Sequence, residues 1–139
     1  MSARTRLVDA LTAGLPDVPD APDGTPGHRY RIIGAPDVPD QIDVKTFAVR
    51  CWQTQVQRGQ TLAGLTLPLV LWVCTGKAEP GAADDALDVA LDEVLTVLHR
   101  QEWVRWSGAE RGMFQNDNGA SWHGWRFDLL AAGQITTED

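Results

Sequence analysis

A chain of 139 residues, 43% apolar and 22% charged, is long enough for one buried core, which takes roughly 100 to 150 residues, and too short for two. Its formal net charge of -7 argues against a surface that coats nucleic acid or lies on an anionic membrane. The excess is one-sided, because the seven basic and seven acidic side chains of residues 1–70 cancel.

The opening has Arg4 and Arg6, but the apolar stretch after them is too short and too interrupted for a signal peptide. The longest apolar run, "LPLVLWVC" from Leu67 to Cys74, falls far short of the roughly 20 residues that span a bilayer. Cys51 and Cys74 sit in apolar, strand-like runs without CxxC spacing, so buried free thiols in a reducing cytosol are expected.

Ser2 or Thr5 can cap a short first helix, since Leu7, Ala10, Leu11, Gly14 and Leu15 share one helical face. Gly14 and Pro16 end it. Six of the eight prolines then fall between residues 16 and 39, many beside Asp, which predicts stiff extended loops over 16–43. They would serve as a connector or as an arm docked on a neighbouring subunit. Within them "HRYRIIG" predicts a short strand near 29–34.

"DVKTFAVRCWQTQVQ" alternates with period two. Phe47, Val49 and Cys51 share one face, and Thr46, Ala48, Arg50 and Trp52 share the other, as expected of a half-exposed strand. "RGQTLAGLTL" is turn-like. It leads to "PLVLWVC", which has no polar face and so predicts a strand covered on both sides.

From Ala82 to Arg100 the chain predicts one long helix, with Ala83, Leu87, Ala90, Leu91, Val94, Val97 and Leu98 on a single stripe. Asp84, Asp85, Asp88, Asp92 and Glu93 lie towards its N-terminal end, and His99 and Arg100 at its C-terminal end, in the sense of the helix dipole. Two aromatic runs, "EWVRWSG" and "WHGWRFDLLAAG", flank the polar stretch Ala109–Ser121 and predict an antiparallel hairpin with a long connection. Trp103 and Trp106 differ in strand parity, which implies a bulge or a partly exposed Trp. Residues 134–139 read as a loose tail.

These elements make a single α+β domain over 1–139: a mostly antiparallel sheet of four to five strands, with the long acidic helix and the short N-terminal helix packed on it.

The order strand, Thr75-Gly76-Lys77, helix suggests a phosphate loop, but that motif needs a glycine where Leu71 stands and a hydroxyl where Ala78 stands. Glu79, Asp84 and Asp85 also crowd the helix start with negative charge. His28, His99 and His123 have no metal-ligand spacing and read as surface or capping residues. Asp84, Asp88 and Asp92, at i, i+4 on a straight helix, cannot surround a cation and form a solvated face. No nucleophile motif is present. No catalytic, cofactor or metal site is therefore expected, and the chain is not expected to be an enzyme.

Of six tryptophans, Trp72 reads as core. Such an aromatic surplus in a small domain puts Trp52, Trp103, Trp106, Trp122 and Trp125 forward as interface candidates.

In length and element order the chain resembles the tail-terminator (tail-completion, minor tail) proteins of long-tailed bacteriophages. The residues that carry the resemblance are "RLVDALTAGLPD", "IDVKTFAVRCWQTQ", "ALDVALDEVLTVLHR" and "WHGWRFDLLAAG". The resemblance implies a structural virion subunit, without cofactor, that assembles in the host cytoplasm. Copies would form a hexameric ring on the tail tube, stop its polymerisation and offer a joining surface to the head connector. Its partners would be itself, the major tail tube protein and a connector or neck protein, with no membrane. DNA would pass a negative lumen without specific binding, and Asp84, Asp85, Asp88, Asp92 and Glu93 would suit such a channel or a solvent face. Another head–tail neck ring, or a monomeric ligand-binding or immunity-type domain, fits the same profile. "QRGQTLAGLTLP" lacks the helical pattern expected of many relatives at that place.

Overall fold

The computed structural model describes residues 2–33, 41–54, 56–58, 64–116 and 118–134, with only the backbone of Gln134. The chain builds α1 (Ala3–Gly14), β1 (Arg29–Ile33), β2 (Thr46–Gln53), β3 (Gln57–Arg58), β4 (Gly64–Thr75), α2 (Pro80–His99), β5 (Val104–Gln115) and β6 (Ser121–Gln134). Among the described residues these strands form one six-stranded sheet in the order β1-β2-β4-β6-β5. The two-residue β3 pairs with β4 beyond the end of β2; Gln57 falls in the run expected to continue that strand and Arg58 in the stretch expected as turn. All pairings are antiparallel except β1 with β2.

Ser2 caps α1 by accepting from the Thr5 N–H at 3.1 Å, and Leu7 and Leu11 are its buried face. A Cβ at Gly14 would stand 2.8 Å from Val97 Cγ2, so this glycine lets α1 close onto the end of α2. In α2, Ala83, Leu87, Ala90, Val94, Val97 and Leu98 are buried along the predicted stripe. They pack on Val49 and Cys51 of β2, Leu69, Leu71 and Val73 of β4, and Phe127, Leu129 and Ala131 of β6. Burying a stripe of this kind contributes roughly 1.5–3 kcal/mol per large side chain. Trp125 adds a polar tie by donating its Nε1–H to the Leu87 carbonyl at 2.9 Å.

Several expectations are corrected. β2 is not half-exposed: Ala48 and Arg50, on the face away from the helices, are as buried as Phe47 and Val49, and the Arg50 guanidinium lies against Trp72 of β4. "GLTL", expected as turn, is the start of β4, where pairing with β6 runs on to Gly64 opposite Gln134. Residues 109–115, expected as hairpin connection, are strand; only 116–120 lie between β5 and β6, with 117 outside the described residues, and Gly119 is left-handed at φ 89°. Gln134, placed in a loose tail, ends β6, and residues 135–139 lie outside the described residues. The loop segment 34–40 and the whole β3–β4 connection, 59–63, lie outside them as well. The first proline segment folds back, with Val18 bridging His28 and Asp20 Oδ1 accepting from the Gly27 N–H at 2.8 Å.

Candidate functional site

The alternation of the strands sorts their side chains into two layers. The odd positions of β2, β4 and β6 meet the helices, and Ala48, Arg50, Trp52, Val70, Trp72, Cys74, Trp122, Arg126 and Asp128 take the other face. No described helix covers that second face.

Its centre is an aromatic row. Trp52 and Trp72 meet edge to face with centroids 4.8 Å apart, and Trp72 meets Phe114 at 4.6 Å. A Cβ at Gly124 would lie 2.9 Å from the Phe114 ring, so the absent side chain makes the slot that Phe114 fills. The Arg50 guanidinium lies 4.5 Å over the Trp72 ring. Trp72 is therefore not core, as its apolar neighbours suggest, but a half-buried member of this row. Its indole N–H is buried without an acceptor among the described residues.

The five tryptophans proposed for an interface divide between the two faces. Trp52 and Trp122 are half-buried on the helix-free face. Trp103, Trp106 and Trp125 lie on the helix side, and each indole N–H is engaged: with Gln101 Oε1 at 3.3 Å, His99 Nε2 at 3.1 Å, and Leu87 O. Arg6 stacks on Trp103 at 4.2 Å and Arg111 on Trp125 at 5.1 Å. Trp106 is the most exposed of the five at 37%, beside the register shift between Trp106 and Gly108. It stands on β5, a twelve-residue strand at the edge of the sheet. The expected irregularity thus exists, but it follows Trp106 and does not separate Trp106 from Trp103, which precedes the strand.

The acidic row is also divided. Asp85, Asp88 and Asp92 are exposed, and Asp84 is exposed but ion-paired with Arg111. Glu93 is not part of the solvent face. It is half-buried and accepts from Tyr30 Oη at 2.7 Å while contacting His28 Nε2 at 2.7 Å. His28 is accordingly no isolated surface residue, since it also meets Tyr30 and Phe47 edge-on. Burial first, and the Glu93 carboxylate second, push the Tyr30 phenol well above its ordinary range. These partners lie more than sixty residues apart in the chain, beyond the reach of local spacing.

Glu79 caps α2 by accepting from the N–H groups of Gly81 at 3.0 Å and Ala82 at 2.6 Å, so a carboxylate occupies the place a phosphate would take. Gly76 is needed for packing, because a Cβ there would collide with the Asp43 carbonyl. Cys51 and Cys74 are free and buried, and burial pushes both thiols up to about 11, so neither is a ready nucleophile. Among the described residues no three His, Cys, Asp or Glu gather as a metal-binding group. No described helix is long and apolar enough to cross a membrane.

No protein-family model matches the chain, and no curated protein matches it either. Its candidate site is therefore defined by geometry alone: an aromatic sheet face bordered by a long edge strand.

Proposed function

We propose that the chain is a structural, non-enzymatic virion subunit that assembles into a ring, in the manner of the tail terminators it resembles in length and element order. A ring of such subunits, with six copies as the expected number, would end the tail tube and join it to the head connector. The observation that carries this reading is the placement of both helices on one face of a long-stranded sheet, which leaves the Trp52–Trp72–Phe114 row and the β5 edge for contacts with other copies. Trp52 and Trp72, half-buried in the single chain, are suited to such contacts, since aromatic side chains bury large apolar area at low entropic cost.

The exposed Asp85, Asp88 and Asp92 supply the negative surface that a DNA-conducting lumen requires, because phosphates slide past like charge without sticking. The order of elements, with the long acidic helix between the central strands and the terminal hairpin, also accords with the resemblance.

Electron microscopy of the purified chain, alone and mixed with tail tubes, tests the reading. Closed rings with a central opening, free or seated on tube ends, are expected. A chain that remains a monomer in both preparations would sink it.

A further inference from the structure

The chain contains only two lysines, Lys45 and Lys77, and both line one groove. It has a volume of about 320 Å³ and runs between the first half of α2 and the start of β2. Val44 and Val89, which line it, are 58% and 44% exposed, although most large apolar residues among those described are covered. Phe47 lies at its base, 3% exposed.

We propose that this groove receives residues Ile135-Thr136-Thr137-Glu138-Asp139 of a second copy of the chain. The proposal deepens the ring reading by naming a contact that links successive subunits.

Charge is the first argument. Lys45 is held by Asp20 at 2.6 Å, while Lys77 makes no ion pair among the described residues. In a chain of net charge -7, a groove lined by both lysines, with Lys77 outside any ion pair among the described residues, favours a carboxylate-bearing partner. Asp85 also lines the groove and opposes it, so the fit depends on Lys77. Glu138 and Asp139 supply two carboxylates in succession, and Ile135 supplies an apolar side chain for the Val44 and Val89 walls.

Residues 135–139 cannot reach the groove of their own copy. β6 ends with Gln134 opposite Gly64, whereas the groove lies at the far end of the sheet, where Phe47 pairs with Thr75. From Gly64 to Thr75 along β4 is on the order of 35 Å. Five extended residues span at most about 18 Å. A donor at one end of the sheet and an acceptor at the other make a head-to-tail contact, the type that closes rings.

The test uses the 139-residue chain with reversed charges. Lys77→Glu alone, and Glu138→Lys with Asp139→Lys alone, should each weaken self-association about ten-fold in a sedimentation or light-scattering titration, since like charges would then face each other. Their equimolar mixture, and the variant carrying all three changes, should recover the original affinity. Unchanged association of the Glu138→Lys/Asp139→Lys chain, or no recovery in the mixture, overturns the proposal. A fluorescent peptide of residues 133–139 gives a readout that does not require rings. Saturable binding to the unaltered chain that Lys77→Glu abolishes supports the groove even if that chain proves monomeric. Absence of binding, or equal binding of a scrambled acidic peptide, overturns it.

Discussion

The guanidinium of Arg50 lies 4.5 Å over the indole ring of Trp72, on the sheet face that carries no described helix, and Arg50 is 0% exposed. A desolvated cation–π contact is worth about 2 kcal/mol, and removing a long buried stem leaves a cavity besides. Arg50→Ala is therefore expected to lower stability by about 3 kcal/mol in urea unfolding. Arg50→Met, which keeps the stem, should lose less. A change below about 0.5 kcal/mol for the alanine variant would mean that the row is not held by this contact.

Two glycines on neighbouring strands make a controlled pair. A Cβ at Gly124 would meet the Val73 carbonyl oxygen at 2.6 Å and the Phe114 ring at 2.9 Å, while one at Gly112, its partner across β5 and β6, would meet nothing within 4 Å. Gly124→Ala should cost about 1–3 kcal/mol through overpacking against backbone. Gly112→Ala should be neutral or stabilise by up to about 1 kcal/mol. Equal melting temperatures for the two variants would disprove the tight approach at Gly124.

Tyr30 is the only tyrosine in the chain, so phenolate absorbance reports on it alone. Its burial and its bond to Glu93 raise the phenol above the ordinary value of 10.0. A raised folded value means that this contribution to stability is complete below pH 10 and declines as the pH rises further. Alkaline titration should show no phenolate signal until the chain unfolds, followed by a step that coincides with loss of the circular dichroism signal. A gradual rise centred near pH 10 in the folded chain would contradict the buried Tyr30–Glu93 bond.

The cap of α2 predicts acid sensitivity. Hydrogen bonds from Ala82 and Gly81 hold the Glu79 carboxyl below its ordinary value of 4.5. A depressed folded value stabilises the chain above pH 4.5, and that contribution is lost as the pH falls through the folded value. Glu79→Gln should lower the melting temperature at pH 7 and narrow its gap to the unaltered chain as the pH drops below 4.5. A gap independent of pH would show that the carboxylate charge plays no part in the cap.

What the sequence reveals follows the range of the physics involved. α2 is legible because its stripe from Ala83 to Leu98, its N-terminal acids and its C-terminal His99 are all local signals. The Val70 to Cys74 part of β4 is legible because it lacks any polar face. The second half of β5 is not: Glu110, Arg111 and Gly112 break the alternation, and the strand exists because β6 pairs with it residue by residue to Gln115. The same distance in sequence conceals the site. Nothing local shows that Glu93 meets Tyr30 and His28, that Arg50 is buried on the face expected to be open, or that Lys45 and Lys77 share a groove. The tryptophans are legible as a surplus, but their division between two faces depends on the register of four strands.

The central claim is that this chain ends a polymer. Its most direct test is the length of tail tubes grown from purified tube protein in increasing amounts of the chain, measured by electron microscopy. Mean length should fall as the chain is added, with growth arrested at capped ends, and the Lys77→Glu variant should act only at higher concentration. Tubes of unchanged length, with no density added at their ends at any concentration, would contradict the proposed role of this chain as a tail terminator.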